Sequence, residues 1–386
     1  MIYLNNAATT KIKPKEVLQA VNGFMKELNV SPGRGADEES VAADRILTEA
    51  RELLAELFNV SDPSKIIFTL NCSDALNTAI KGVLRPGDHI IISPFEHNSV
   101  VRPLRYLEKL GIEVSVAVGC SVEGVLEPQV VERHIKSNTK LIAVLHASNV
   151  TGAVQPVKEI GEIARKKDLL FLVDAAQTAG SHEIDVKDMN IDLLAFAGHK
   201  GLMGPMGTGG IYVGSRVQGP GCRGIEPLRH GGTGSQSELE VQPDIMPDKF
   251  ETGTPNTPGI AGLKEAVEFI LKTGVDKIKD HGEKLTEKLL KGLTAAKNVK
   301  VYGPGDPSKQ VPVVSFNIEG MEPTTVGKRM EDEFGIIVRT GLHCSPLCHK
   351  AVGTFPKGTV RISAGYFNTG KDIDAAVKAV RKIAGG

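Results

Sequence analysis

The chain has 386 residues, 41% hydrophobic and 24% charged, the make-up of a folded globular protein rather than a disordered or fibrous one. Its 46 Lys+Arg offset its 46 Asp+Glu, which excludes a global basic field for nucleic acid or anionic lipid. Five cysteines, at positions 72, 120, 222, 344 and 348, are odd in number and too scattered for a disulfide framework.

The opening Met1-Ile2-Tyr3-Leu4-Asn5-Asn6 has no basic region ahead of an apolar run, and no run approaches the ~20 apolar residues that span a bilayer. The expectation is a cytoplasmic protein with reduced thiols and no membrane partner. Ala36 to Phe58 reads as an amphipathic helix with Asp37 as its N-cap. Seven short apolar runs follow: Ile66–Thr69, His89–Ile92, Val114–Val118, Leu141–Leu145, Leu169–Val173, Leu193–Phe196 and Gly210–Val213. Helical patterns separate most of them, among them Pro128 to Ser137 and Pro156 to Lys167. Continuous apolar strands alternating with helices predict an α/β fold with a seven-stranded, mostly parallel sheet. Gly198 to Gly209 is too short for a crossover helix, so the seventh strand is expected antiparallel to the sixth.

The turn-rich Gly253-Thr254-Pro255-Asn256-Thr257-Pro258 marks a boundary. It divides a large domain, 15–257, from a smaller α/β domain, 258–386, with segment 1–14 joining them. One long helical pattern runs from Pro258 to about Ala296. Strands are then expected at Val313–Phe316, Ile336–Val338 and Val360–Ile362, with flanking helices near Thr324–Phe334 and Asp372–Ile383.

Open α/β sheets bind ligands beyond the carboxyl ends of their strands. Polar residues collect there: Asn71-Cys72-Ser73-Asp74, Pro94-Phe95-Glu96-His97, His146-Ala147-Ser148-Asn149, Asp174-Ala175-Ala176-Gln177 and Gly198-His199-Lys200-Gly201. A desolvated lysine on a glycine-rich turn is a Schiff-base nucleophile. Pyridoxal phosphate (PLP) enzymes pair such a lysine with an acid that holds the pyridine nitrogen protonated. Lys200 and Asp174 stand on successive strand ends in those roles. Cys72 and Ser73, opening a helix, offer backbone N–H groups to a phosphate, and His97 is placed to stack on a ring.

With these residues the sequence resembles the cysteine desulfurases, PLP-dependent proteins of class V aminotransferase fold. The opening Tyr3 to Thr10, Arg34-Gly35, Glu96 to Ser99, His146 to Gly152, Val173 to Gln177, Ala197 to Lys200, Phe250 to Thr257, Arg339 to Cys344 and Arg361 carry the likeness. The resemblance implies a PLP-dependent transferase of fold type I. It implies Lys200, Cys344 and His97 as catalytic, and Cys72, Ser73, His97, Asp174, Gln177, His199, Lys200 and Thr254 around the cofactor. Asn149, Arg361, Arg339 and Arg34 would face the substrate. The matching Thr of the family serves the partner subunit's cofactor, so Thr254 implies a homodimer. The chain departs from the pattern at Asn5, where Asp is frequent, at Ala197, where Ser is frequent, and at Cys72 and Ser73, where threonines are common.

His343-Cys344-Ser345-Pro346-Leu347-Cys348-His349 admits three readings. It is an inert loop, a zinc site cramped into seven residues, or a nucleophilic thiol in positive surroundings supplied by His343, Arg339 and Arg361. The PLP constellation favours the third. The short span from Cys344 to Arg361 resembles the branch with a compact cysteine loop. The expected activity converts L-cysteine to L-alanine with sulfur carried as a persulfide on Cys344 and passed to an acceptor protein. Iron–sulfur cluster assembly, tRNA thiolation and cofactor synthesis are all open destinations. A selenocysteine lyase, a class V aminotransferase and an inactive sulfur carrier are the alternatives.

Overall fold

The computed structural model describes residues 1–33, 37–119, 124–217 and 224–385. Arg34, Cys120 and Cys222 lie outside these. After strand β1 (Ile2–Tyr3) come helices α1 (Lys15–Gly23) and α2 (Glu38–Leu57). Asp37 caps α2 as expected, accepting from Ser40 N at 2.8 Å. There follow β2 (Ile66–Thr69), α3 (Cys72–Val83), β3 (His89–Ile92), α4 (Asn98–Glu108), β4 (Glu113–Val116), α5 (Pro128–Arg133), β5 (Thr139–Leu145), α6 (Val157–Lys166), β6 (Leu170–Asp174), β7 (Leu193–Ala197) and β8 (Gly209–Val213). These strands form one sheet in the order β2-β8-β7-β6-β5-β3-β4. Its β7-β6-β5-β3-β4 portion is parallel, while β8 runs antiparallel to both β7 and β2. The central strands are buried on both faces, which is why they read as unbroken apolar runs rather than alternating ones.

The long pattern after Pro258 is two helices, α7 (Thr257–Thr273) and α8 (Val275–Thr294). Gly274 separates them at φ 90, a conformation that costs glycine little and ends a helix cleanly. Helix α7 packs on α1 and α2, and its Ile260, Leu263, Val267 and Ile270 join the core beneath the large sheet. After α8 come β9 (Val299–Tyr302), β10 (Val313–Ile318), α9 (Pro323–Phe334), β11 (Ile336–Ile337), β12 (Arg339–Gly341), α10 (Pro346–Ala351), β13 (Thr359–Ser363) and α11 (Gly370–Ile383), and all but α10, whose Cys348 joins the core of the large sheet, build around a second core. Leu285, Leu289, Phe316, Ile362 and Val380 fill it. We therefore propose dividing the chain at Gly274 rather than at 257/258.

The antiparallel order is β12-β13-β10-β9, and β11 pairs separately with β1. The expected strand Ile336–Val338 is thus only β11, and Val338 links it to β12 in the other sheet. The opening segment straps both units: Leu4 N donates to Ile337 O at 2.9 Å, and Thr10 N to His199 O at 3.0 Å. No helix among the described residues is long and apolar enough to cross a membrane.

Candidate active site

A cleft opens at the carboxyl ends of β5 and β6, lined by Cys72, Ser73, His97, Asn149, Asp174, Gln177 and Lys200. Asp174 is the last residue of β6. Its Oδ1 accepts from Ala176 N at 2.9 Å and from the Cys72 thiol at 3.4 Å. Its Oδ2 has no protein donor among the described residues. Burial, and then the Asp174 charge, push the Cys72 thiol well above its ordinary range, so it stays S–H and donates.

Lys200 follows β7 on a turn pinned by Thr10 Oγ1, which donates to the Lys200 carbonyl at 2.7 Å. The side chain is half-buried and lines the cleft. Burial lowers its ammonium pKa; Cys72 and Asp174 oppose this, and Arg361 and Arg339 add to it. A lowered lysine pKa favours the nucleophilic free amine near neutral pH.

Helix α3 starts beside the cleft with Asn71 capping Asp74 N at 3.0 Å, so the first turn presents backbone donors there. Ser73 Oγ and Ser99 Oγ are 2.5 Å apart, and His97 Nδ1 is 2.9 Å from Ser99 Oγ. Ser99 N donates to His97 Nδ1 at 3.1 Å, which places the ring proton on Nε2. Burial, and then Lys200, lower the His97 pKa to about 4, so the ring is neutral. His199 Nδ1 is buried without a partner, and burial holds this ring neutral too, down to about 4. Gln177 donates to Ala7 O at 3.1 Å.

The cysteine loop is pinned from three sides. Asn149 Nδ2 donates to His343 O at 2.7 Å, and Ser345 Oγ donates to Asn149 Oδ1 at 2.8 Å, so one side chain clasps both neighbours of Cys344. Asn98 N, opening α4, donates to Cys344 O at 2.8 Å. His343 and Cys344 sit at φ 48 and 61, left-handed geometry that non-glycine residues adopt only where their surroundings enforce it. The β12–β13 register sets Arg339 opposite Arg361. Arg339 Nη2 donates to Cys344 Sγ at 3.3 Å. Arg361 is buried and donates to Asn149 O at 2.8 Å and Asn5 Oδ1 at 3.0 Å.

One expectation, that His343 lends Cys344 positive charge, changes. His343 turns its Nε2 to Thr359 Oγ1 at 3.0 Å. Burial, and then Arg361, hold its pKa down to about 2, so it is neutral and lends Cys344 no charge. Cys348 is buried 3.7 Å from Ser148 Oγ, and His349 pairs with Thr354 Oγ1 at 2.6 Å. These side chains diverge to separate partners, unlike a zinc shell. Thr254 is exposed in a different cleft, beside Arg229 and Asn256, so a single chain does not bring it to Lys200. The Thr233–Ser235 stretch lines that second cleft as well. The sequence reading missed Ser99 and Glu96. Ser99 was legible two residues after a capping His97. Glu96 is fully buried, with Oε1 accepting from Ser93 Oγ at 2.5 Å and Leu145 N at 3.0 Å.

The sequence pattern of aminotransferase class-V matches residues 2–376. A probable cysteine desulfurase of Methanothermobacter thermautotrophicus is 38% identical over 391 residues, 100% of this chain and 95% of that one. One of Pyrococcus abyssi is 34% identical, over 99% and 94%. The chain belongs to the cysteine desulfurase group of the aminotransferase class-V family. The apo structure of a cysteine desulfurase from Thermococcus onnurineus matches this fold with a TM-score of 0.91 at 33% identity, over 100% of this chain and 95% of that one.

Members of this cysteine desulfurase group use PLP, and the residues here fit that group. A lysine of lowered pKa, a carboxylate oxygen without a protein donor among the described residues and a helix N-terminus meet at the one cleft, and His199, whose buried Nδ1 is unpartnered, adjoins Lys200 in the chain. That donor set matches an aldehyde, a pyridine nitrogen and a phosphate.

Proposed function

We propose that this chain acts on L-cysteine as a desulfurase, with Lys200 and Cys344 as its two working residues. The observation that carries the assignment is a thiol held in a left-handed turn by Asn149 and faced by Arg339 at 3.3 Å. Lys200 would hold PLP through its amine, Asp174 Oδ2 would meet the ring nitrogen, and Gln177 the ring hydroxyl. His97 would lie against the ring, and the α3 start, Ser73 and His199 Nδ1 would meet the phosphate. Bound there, PLP supplies an electron sink for bonds at the substrate's α-carbon.

Arg361 receives the substrate α-carboxylate, a bidentate task suited to guanidinium. The Lys200 amine takes the Cα proton and returns it. The Cys344 thiolate, steadied by Arg339, attacks the substrate sulfur. An S–S bond forms as the C–S bond breaks, the electron pair left on the β-carbon takes up the equivalent of the proton that Cys344 gave up on ionising, and alanine departs while the persulfide stays on Cys344. Asn149 keeps the loop from drifting during this transfer. A homodimer in which Thr254 serves the second copy's cofactor belongs to the same reading. So do a sulfur-acceptor protein and a cytoplasmic location, which fits a reactive reduced thiol.

The test is purified protein with L-cysteine and a reductant, quantifying alanine and sulfide together. Equal amounts of both are expected. Cys344→Ala should keep the visible PLP band and make no persulfide. Neither product from the parent protein, despite that band, would overturn the reading in favour of another amino-acid substrate.

A further inference from the structure

We infer that Asn5 is a positioning residue that sets the charge of the carboxylate pocket: it orients Arg361 without cancelling its charge, leaving that charge for the ligand's α-carboxylate.

A buried arginine is ordinarily matched by a carboxylate. Arg361 is 1% exposed, yet its acceptors are neutral: Asn149 O at 2.8 Å and Asn5 Oδ1 at 3.0 Å. Its Nε has no partner among the described residues. Across the β12–β13 pair stands a second guanidinium, Arg339, also without a carboxylate among the described ion pairs. The groups that bear on Arg361 are Arg339, Cys344 and Tyr3, and none of them is a carboxylate. Two cations therefore stand opposite one another across the β12–β13 pair, with no carboxylate paired to either among the described residues.

Asn5 is held where an acid would neutralise this arrangement. Its backbone bridges to Ser363, at the end of β13, and its carbonyl accepts from Tyr3 Oη at 3.2 Å. The side chain therefore reaches Arg361 from a fixed base. Aspartate has nearly the same shape and would keep the bond, but it would pair its charge with the guanidinium before any ligand arrived. The amide supplies the geometry, and its lack of charge supplies the affinity.

The inference rests on the desulfurase reading only for the kind of ligand, a free amino acid, and its test does not need sulfur chemistry. Holoenzyme carrying Asn5→Asp, Asn5→Ala or neither change is titrated with L-alanine and with L-alaninamide, which lacks the carboxylate. Binding is read from the change each makes in the cofactor's visible band. Asn5→Asp should weaken L-alanine by about fivefold and leave L-alaninamide within about twofold. Asn5→Ala, which loses the bond but keeps the charge, should weaken L-alanine less than Asn5→Asp does. Parent-like alanine binding by Asn5→Asp, equal weakening of both ligands, or an Asn5→Ala protein worse than Asn5→Asp would each overturn the inference. Failure to produce alanine and sulfide from cysteine would refute the desulfurase reading and leave this comparison standing.

Discussion

Arg339 donates to Cys344 Sγ at 3.3 Å from a strand whose register sets it opposite Arg361. One backbone pairing thus aims two guanidiniums, one at the thiol and one at the carboxylate pocket. A hydrogen bond to a charged partner contributes about 1.5–3 kcal/mol, so Arg339→Ala should lower the rate of persulfide formation roughly ten- to hundredfold. The visible cofactor band should not change. Arg339→Lys keeps a charge but not the planar fork and should fall between. Single-turnover mass spectrometry of the Cys344 peptide checks this, and a parent-like rate for Arg339→Ala would separate the arginine from the thiol's chemistry.

The Cys72 thiol and Asp174 make a second testable pair, at 3.4 Å. Cys72→Ala strips one donor from the carboxylate, leaving Ala176 N, and should weaken PLP binding by about threefold to tenfold, the usual worth of one such bond. Cys72→Ser keeps a donor and should stay within about twofold. Equilibrium dialysis of PLP gives the comparison. Both variants should still form the persulfide on Cys344, because the Cys72 thiol is held protonated by burial.

Most of the scaffold was legible because burial on both faces leaves a plain mark. Seven apolar runs became seven strands, and the glycine-rich 198–209 turn gave the antiparallel β8. Lys200 and Asp174 were legible for a related reason: a strand end in a parallel sheet is where a charged side chain can reach a ligand. What stayed hidden depends on contacts between distant segments. The neutrality of His343 comes from burial against Thr359, and the clasp of Asn149 on the cysteine loop spans 194 residues. The break at Gly274 was hidden because one glycine lowers helix propensity by only about 1 kcal/mol, so the periodicity on either side reads as continuous.

Gly152 carries the clasp to the rest of the molecule. It sits at φ 77, and a Cβ there would lie 2.4 Å from Val313 O. Its carbonyl accepts from Val311 N at 2.9 Å, docking the Asn149 loop against the segment that leads into β10. Gly152→Ala combines a disfavoured backbone with a backbone clash and should cost more than about 2 kcal/mol. Urea unfolding should show the loss, and persulfide formation should fall with it because Asn149 loses its footing. Unchanged stability would mean that the loop can move away from β10 without consequence.

Glu96 gives stability a dependence on rising pH. Burial pushes its carboxyl up to about 8, against the bonds from Ser93 and Leu145. The folded protein keeps this group protonated where the unfolded chain ionises it. Its contribution is complete below pH ~4.5 and is lost as pH rises toward 8, by about 3 kcal/mol at pH 7. Glu96→Gln keeps a neutral acceptor in place and should flatten the decline in unfolding free energy between pH 5 and 8. An unaltered slope would show that Glu96 is already ionised in the fold.

The buried histidines work in the opposite direction. Burial lowers His97, His182, His199 and His349 to about 4, His146 to about 3 and His343 to about 2. The folded chain refuses these protons, while the unfolded chain accepts them as pH falls through about 6.5. Their stability contribution is therefore full above that pH and declines below it, so the protein should be acid-sensitive well before its carboxylates protonate. His146 isolates the effect, since it is buried with Nδ1 unpartnered and has no assigned chemistry. His146→Gln should reduce the difference in unfolding free energy between pH 7 and pH 5 by about 2 kcal/mol, whatever it costs at pH 7. Urea titrations at the two pH values read this directly. An unchanged difference would mean that His146 takes up its proton inside the folded protein, which its surroundings at the end of β5 give it no means to stabilise.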